Sequence, residues 1–224
     1  MDLPIAKLDV VRPERNAHVR RFDAARGMYQ MRDPHEFRLA EYIACPVLRD
    51  ADLGPAEIAW IDEVRDFAEA GRGFRAKTIY GPPAGCGISL VFGHFGKRRG
   101  FQAVDRDARV VGAVTANCTY VKPELRGRGI GTEMILANDH HFERFIFPQY
   151  YSEAGFASRV AAHRRHLQRA CDAGIEILDA VMADYLFQDG KMRLKAPYTI
   201  DRHMAAISRD TPEDETPDHY LPTA

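Results

Sequence analysis

Apolar residues recur at helical spacing between Pro55 and Ala70, where Ile58, Ile61, Val64 and Phe67 share one face. The spacing predicts a helix closed by Gly71, Arg72 and Gly73, with Trp60 off the stripe and packed against another element. Farther along, the pattern changes to strands. Ile88 to Phe95 is apolar and β-branched, Gly96 to Gly100 reads as a turn, and Phe101 to Val104 as a strand. Arg106 to Ala108 reads as a turn, and Arg109 to Val121 as one long strand in which Gly112 marks a bulge. On the N-terminal side, Val19 to Ala44 suggests one or two helices, broken at Arg32 and Asp33, with Pro34 at a helix start. Towards the C-terminus, Thr132 to Phe145 reads as helix, Phe147 to Tyr151 as an interruption, and Ser152 to Ala173 as a second, longer helix. Gln188 to Lys191 follows as a turn, and Met192 to Ile200 as a strand. From Ser208 on, the chain is polar, acidic and proline-bearing, as in a solvated tail, and no internal repeat is visible.

The junction between the long strand and the helix at Thr132 carries the chemistry. There, Gly127, Gly129 and Gly131 fall within five residues, and no Cβ hinders backbone N–H groups from turning outward. Such a loop delivers donors to a helix N-terminus, where partial positive charge favours an anion. Rival phosphate loops fit less well. Gly81 to Ser89 has the look of a P-loop, but it lacks the phosphate-reaching Lys, and Pro82 and Pro83 remove N–H donors, so a plain turn is expected. Arg126 to Gly131 does not have the Gly-x-Gly-x-x-Gly spacing of a dinucleotide fingerprint either.

Arg126, Gly129 and Gly131 match the Arg/Gln-x-x-Gly-x-Gly/Ala signature, Val121, Pro123 and Glu124 precede it, and Thr132 to Leu136 opens the helix. In this the chain resembles the GNAT superfamily of acyl-CoA-dependent N-acyltransferases. The resemblance implies an α/β (α+β) fold: a mixed, largely antiparallel sheet flanked by helices, here with a helical insertion over about 138–163 after the phosphate loop. It takes Gly174 to Val181 as the strand after the phosphate-loop helix, within one GNAT-like domain over 1–207 that is helical over 1–75 and precedes the acidic tail over 208–224. A second alignment takes Tyr151 to Phe156 as the family's Tyr-x-x-x-Gly-Phe element, at the expense of the intervening strand.

The resemblance further implies acetyl-CoA as co-substrate, with its pyrophosphate on the N–H groups of Gly127, Arg128, Gly129, Ile130, Gly131 and Thr132 and added charge from Arg126 and Arg128. Thr119, Tyr120 and Val121 would pair with the pantetheine arm as an added strand, and an N–H near Val121 would polarise the thioester carbonyl. An amine then attacks the thioester directly, in a ternary complex. Because an alkyl amine with pKa near 10 is only about one part in a thousand neutral at pH 7, a base is needed, and His94, Asp179 and Glu124 are the candidates. The thiolate's proton would come from Tyr185 in the first alignment or Tyr151 in the second. A non-catalytic acyl-CoA-binding or regulatory module, or a longer-chain N-acyltransferase, are the alternatives.

Composition narrows the setting. The 224 residues include 31 Lys and Arg against 32 Asp and Glu, so no basic excess argues for nucleic acid. The N-terminus has no apolar leader and no segment has membrane-spanning length, giving an expectation of a cytoplasmic protein without a membrane partner. Cys45, Cys86, Cys118 and Cys171 are scattered, so neither zinc nor a disulfide framework is expected, and no metal is implied. The acceptor would be an amine-bearing small molecule or protein. The aromatic run Phe142, Phe145, Phe147, Tyr150, Tyr151 and Phe156 suits a pocket wall, a cover, a homodimer surface or plain core, and His163 to Arg169 reads as a basic helix face.

Overall fold

A computed structural model of the chain describes residues 9–11, 19–23, 28–32, 34–70, 74–80, 87–95, 98–115, 118–141 and 150–210. The strand-rich middle of the sequence forms most of a six-stranded sheet. Its members are β1 (Asp9–Val11), β5 (Phe74–Tyr80), β6 (Ser89–Phe95), β7 (Arg98–Val104), β8 (Val110–Thr115) and β9 (Cys118–Val121), hydrogen-bonded in that order. All neighbours are antiparallel except β1 and β5. The fold is thus mixed α/β, with a largely antiparallel sheet flanked by helices.

The expected long strand Arg109 to Val121 is two antiparallel strands, in which Thr115 pairs with Cys118, a reversal that continuous apolarity does not reveal. The register slips between Ala103 and Val104, where Val111 is the extra residue, next to the glycine expected to mark a bulge. Gly112 itself is needed for close approach: a Cβ there would lie 2.7 Å from the Tyr120 carbonyl oxygen.

Each sheet face carries a helix. α2 (Pro55–Ala70) keeps its expected bounds and packs across β8 and β9 through Val64 and Ala68 against Ala113 and Tyr120. Ile58, at the outer end of the expected stripe, is exposed, while the side chains of Trp60 and Phe67 fall outside the described part. On the other face lies α3 (Ile130–His141). Its residues Ile130, Met134 and Ala137 pack on Phe92, Phe101, Ala103 and Val114 of the sheet. Its opposite side, Ile135 and Leu136, packs on a second core. Apolar on both sides, α3 is a helix buried between two layers rather than an amphipathic surface helix.

The second core belongs to the rest of the chain. It comprises α1 (Leu39–Ile43), the short parallel pair β4 (Val47–Leu48) and β10 (Tyr151–Ser152), α4 (Glu153–Asp172), α5 (Asp179–Met182), the hairpin β11 (Tyr185–Gln188) and β12 (Lys191–Leu194), and α6 (Ile200–Asp210). Ser152 caps α4, its Oγ accepting from the Gly155 N–H at 3.2 Å. Asp189 and Gly190 both take positive φ, the two-residue hairpin expected of that sequence.

Four further expectations need correction. Val19 to Ala44 contributes a hairpin, β2 (Val19–Asp23) with β3 (Met28–Arg32), before the single-turn α1. Its register sets Phe22 opposite Tyr29, and aromatic strand formers of this kind outweigh a weak helical periodicity. Gly174 to Val181 is not a strand. Gly174, at φ 71°, donates to the Cys171 carbonyl and Ile175 to that of Ala170, so α4 ends in a Schellman turn and Leu178 then opens α5. The strand expected over Met192 to Ile200 stops at Leu194, and α6 carries Ser208 to Asp210, where the composition predicts the start of the tail. Residues 211–224, 71–73, 81–86 and 142–149, to which the tail, two turns and part of the aromatic run were assigned, lie outside the described residues.

Candidate functional site

The sheet ends at β9, and the chain passes from it through a single 3-10 turn, Pro123–Leu125, into the glycine loop. Gly127 and Gly129 sit at φ 76° and 82°, in the left-handed region where a side chain is strained although the space around each is open. Gly131 is different. Its φ is ordinary, and a Cβ there would meet Val121 Cγ2 at 3.5 Å, so this position lays the first helical turn directly on β9. The first helical N–H bond of α3 runs from Glu133 to the Gly129 carbonyl at 3.0 Å. The N–H groups of Gly127 to Thr132 therefore have no backbone acceptor among the described residues.

The β9 edge continues this donor set. The Lys122 N–H bonds the directly opposed Val111 carbonyl at 3.0 Å, so in the antiparallel alternation Tyr120 and Cys118 also point at β8. Thr119 and Val121 then direct N–H and C=O away from β8, and no strand of the described residues pairs with that edge. One of these groups is used: Arg126 Nε donates to the Val121 carbonyl at 3.0 Å, folding the loop back on the strand end. Exposed Arg126 and Arg128 with half-buried Lys122 give the site positive charge.

α4 borders the site. It crosses α3 so that Ser158 Oγ lies 4.0 Å from where a Gly131 Cβ would stand, while Arg169 Nη2 meets Glu133 Oε2 at 2.9 Å and Arg165 Nε meets Oε1 at 3.8 Å. The run His163 to Arg169 is thus not one basic face. His163 is fully buried, Arg164 is exposed, Arg165 and Arg169 turn to Glu133, and His166 lies 3.6 Å from Asp139.

Of the candidate acid–base residues, Glu124 is exposed in the turn entering the loop. His94 is on β6, and β7 and β8 stand between it and β9, about 14 Å at roughly 4.8 Å per strand. Asp179 is exposed at the start of α5. Both tyrosines belong to the second core. The Tyr185 hydroxyl is 2.9 Å from His163 Nδ1 and buried, and burial pushes its pKa up. Tyr151 is buried on β10 with the Arg159 guanidinium 5.6 Å from its ring, and burial raises its pKa as well.

A buried polar cluster, absent from the sequence-based expectations, ties α1, α3 and α4 together. Arg159 Nη1 donates to both oxygens of Asp139, at 2.8 and 2.9 Å, and to the Tyr42 hydroxyl at 3.3 Å, while Tyr42 donates to Asp139 Oδ2 at 2.5 Å. Burial alone would raise the Asp139 pKa, but the Arg159 charge and the donated hydrogen bonds outweigh it and hold the carboxylate ionised. Burial pushes the Tyr42 hydroxyl well up. Nearby, His163 Nε2 donates to the Phe37 carbonyl at 2.9 Å, which fixes Nδ1 as the acceptor for Tyr185. His203 repeats the arrangement, donating to the Cys45 carbonyl at 2.8 Å with the Tyr198 hydroxyl 3.3 Å from Nδ1. The only signal in the sequence was two charged residues inside otherwise apolar helix faces.

Among the described residues no three His, Cys, Asp or Glu side chains converge as a metal site requires, and no helix is long and apolar enough to cross a membrane. No protein-family model, curated protein or solved structure matches the chain.

Proposed function

We propose that the chain is an N-acyltransferase of the GNAT type, transferring an acetyl group from acetyl-CoA to an amine. The observation that carries this reading is the continuity of two donor sets: the unpaired N–H groups of Gly127 to Thr132 and, directly beside them, the outward N–H groups of Thr119 and Val121. A ligand with a diphosphate at one end and an amide-bearing arm at the other satisfies both. The diphosphate takes the loop and the helix N-terminus; the arm pairs with the β9 edge as an added strand.

The thioester carbonyl then lies on an outward β9 N–H, which stabilises the oxyanion by on the order of 10²–10³ in rate. The amine nitrogen bonds the carbonyl carbon, the C–S bond breaks, and the proton that the nitrogen sheds on becoming an amide passes, directly or through water, to the thiolate as CoA leaves. Glu124 is the base candidate held next to the loop; its carboxylate would take the ammonium proton, directly or through water.

A second reading, an acyl-CoA-binding module without catalysis, is favoured by one observation: Tyr185 and Tyr151 are buried in the second core, bound up with His163 and Arg159. Thermal unfolding with acetyl-CoA tests the shared premise. At one hundred times its Kd the ligand stabilises the fold by about 2.7 kcal/mol, and no shift with acetyl-CoA or longer acyl-CoAs would sink both readings. Thiol release against an amine panel separates them: turnover supports the enzyme, and binding without turnover supports the module.

A further inference from the structure

We infer that Arg165 and Arg169 of α4 form a third-phosphate subsite beside the loop and read the 3′-phosphate of the nucleotide end of CoA; the inference rests on the acyl-CoA reading above. Ser158, Ala162, Arg165 and Arg169 recur at helical spacing and form the α4 stripe that crosses α3. The crossing brings both guanidinium groups to Glu133, the first residue after the unpaired loop donors. Glu133 stands three residues, about 4.5 Å of helix axis, from Ile130.

The charges at this corner do not balance. One carboxylate faces two guanidinium groups, and among the described residues neither arginine has a second carboxylate partner. Arg169 uses Nη2 on Glu133, and Arg165 makes only a 3.8 Å contact. Both side chains are about half exposed, at 50% and 49%, whereas Glu133 is at 13%. The carboxylate thus works as a tether, holding two forked donors at the rim with N–H groups left for an incoming anion. A phosphate monoester suits them, since a guanidinium binds such an anion with paired, charge-assisted hydrogen bonds. The loop N–H groups are placed for a diphosphate, so the rim arginines are left for the remaining, separate phosphate.

Calorimetric titration of the full chain with CoA and with 3′-dephospho-CoA is the test. The native chain should prefer CoA by about tenfold or more, and Arg165→Met/Arg169→Met should cut that preference to within about twofold without weakening 3′-dephospho-CoA. Glu133→Gln keeps both arginines and should widen the preference, so it tests the subsite even if the double variant does not fold. Equal binding of the two nucleotides by the native chain, a preference that survives the double substitution, or an unchanged preference in Glu133→Gln overturns the subsite alone. If neither nucleotide binds, the acyl-CoA reading falls and the subsite with it.

Discussion

Gly129 and Gly131 bear the same side chain for different physical reasons. At φ 82°, Gly129 occupies a conformation that costs an L-residue about 1–2 kcal/mol. Gly131 has an ordinary helical backbone with room for a methyl group at van der Waals distance from Val121. Gly129→Ala is therefore expected to destabilise by about 1–2 kcal/mol and to weaken acetyl-CoA. Gly131→Ala should be neutral or stabilising by up to about 1 kcal/mol, because alanine is the better helix former. Denaturant titration of the two variants checks this, and equal losses would contradict the loop geometry.

The buried histidines make a second prediction at this scale. Burial, with a smaller push from His166, lowers the pKa of His163 to about 3, and burial also lowers those of His166 and His203. The unfolded chain protonates these rings as pH falls through about 6.5, but the folded chain does not. For His163 this contribution is thus complete above about pH 6.5 and is lost as pH falls towards 3, by about 1.4 kcal/mol per pH unit, and His166 and His203 act in the same direction. Denaturation at pH 7 and pH 5 should show lower stability at pH 5, and a reduced slope in His163→Phe. A flat profile would mean that the rings are solvated or already charged.

At the scale of elements, α3 decides the architecture. Its two apolar sides join the sheet to the second core, and Asp139 on the outer side is locked to Arg159 and Tyr42. Removing one partner of a buried pair leaves a charge without compensation, so Asp139→Leu or Arg159→Met should each cost about 3–5 kcal/mol, whereas the combined Asp139→Leu/Arg159→Met should cost less than either. A double variant as unstable as the sum of the singles would show the two residues to be uncoupled. The same helix shows how much could be read in advance. The glycine spacing and the Ser152 cap are local, so the loop, α2 and α4 were legible. The hairpin of β2 with β3 and the reversal between Thr115 and Cys118 are local pairings too, but a weak helical periodicity covers the one and continuous apolarity the other. Gly174 closes α4 in a local turn although the apolar residues after it read as a strand. The Asp139–Arg159 pair depends on tertiary packing, since its residues look like surface charges until α3 is seen to be covered on both sides.

At the scale of the whole molecule, the chain joins a meander and a glycine loop to a helical second core. α4 borders the site, and Gly174 to Val181, which the family resemblance takes as the strand after the helix of the glycine loop, forms no strand. The β9 edge is left unpaired among the described residues, and it carries the central claim. Amide hydrogen exchange, read residue by residue with and without acetyl-CoA, tests it most directly. In the free chain Thr119 and Val121 should exchange faster than Tyr120 and Lys122, whose N–H groups face β8. Saturating acetyl-CoA should protect Thr119, Val121 and the amides of Gly127 to Thr132 together. Unchanged exchange at Thr119, Val121 and the loop in a sample saturated with acetyl-CoA would contradict the account.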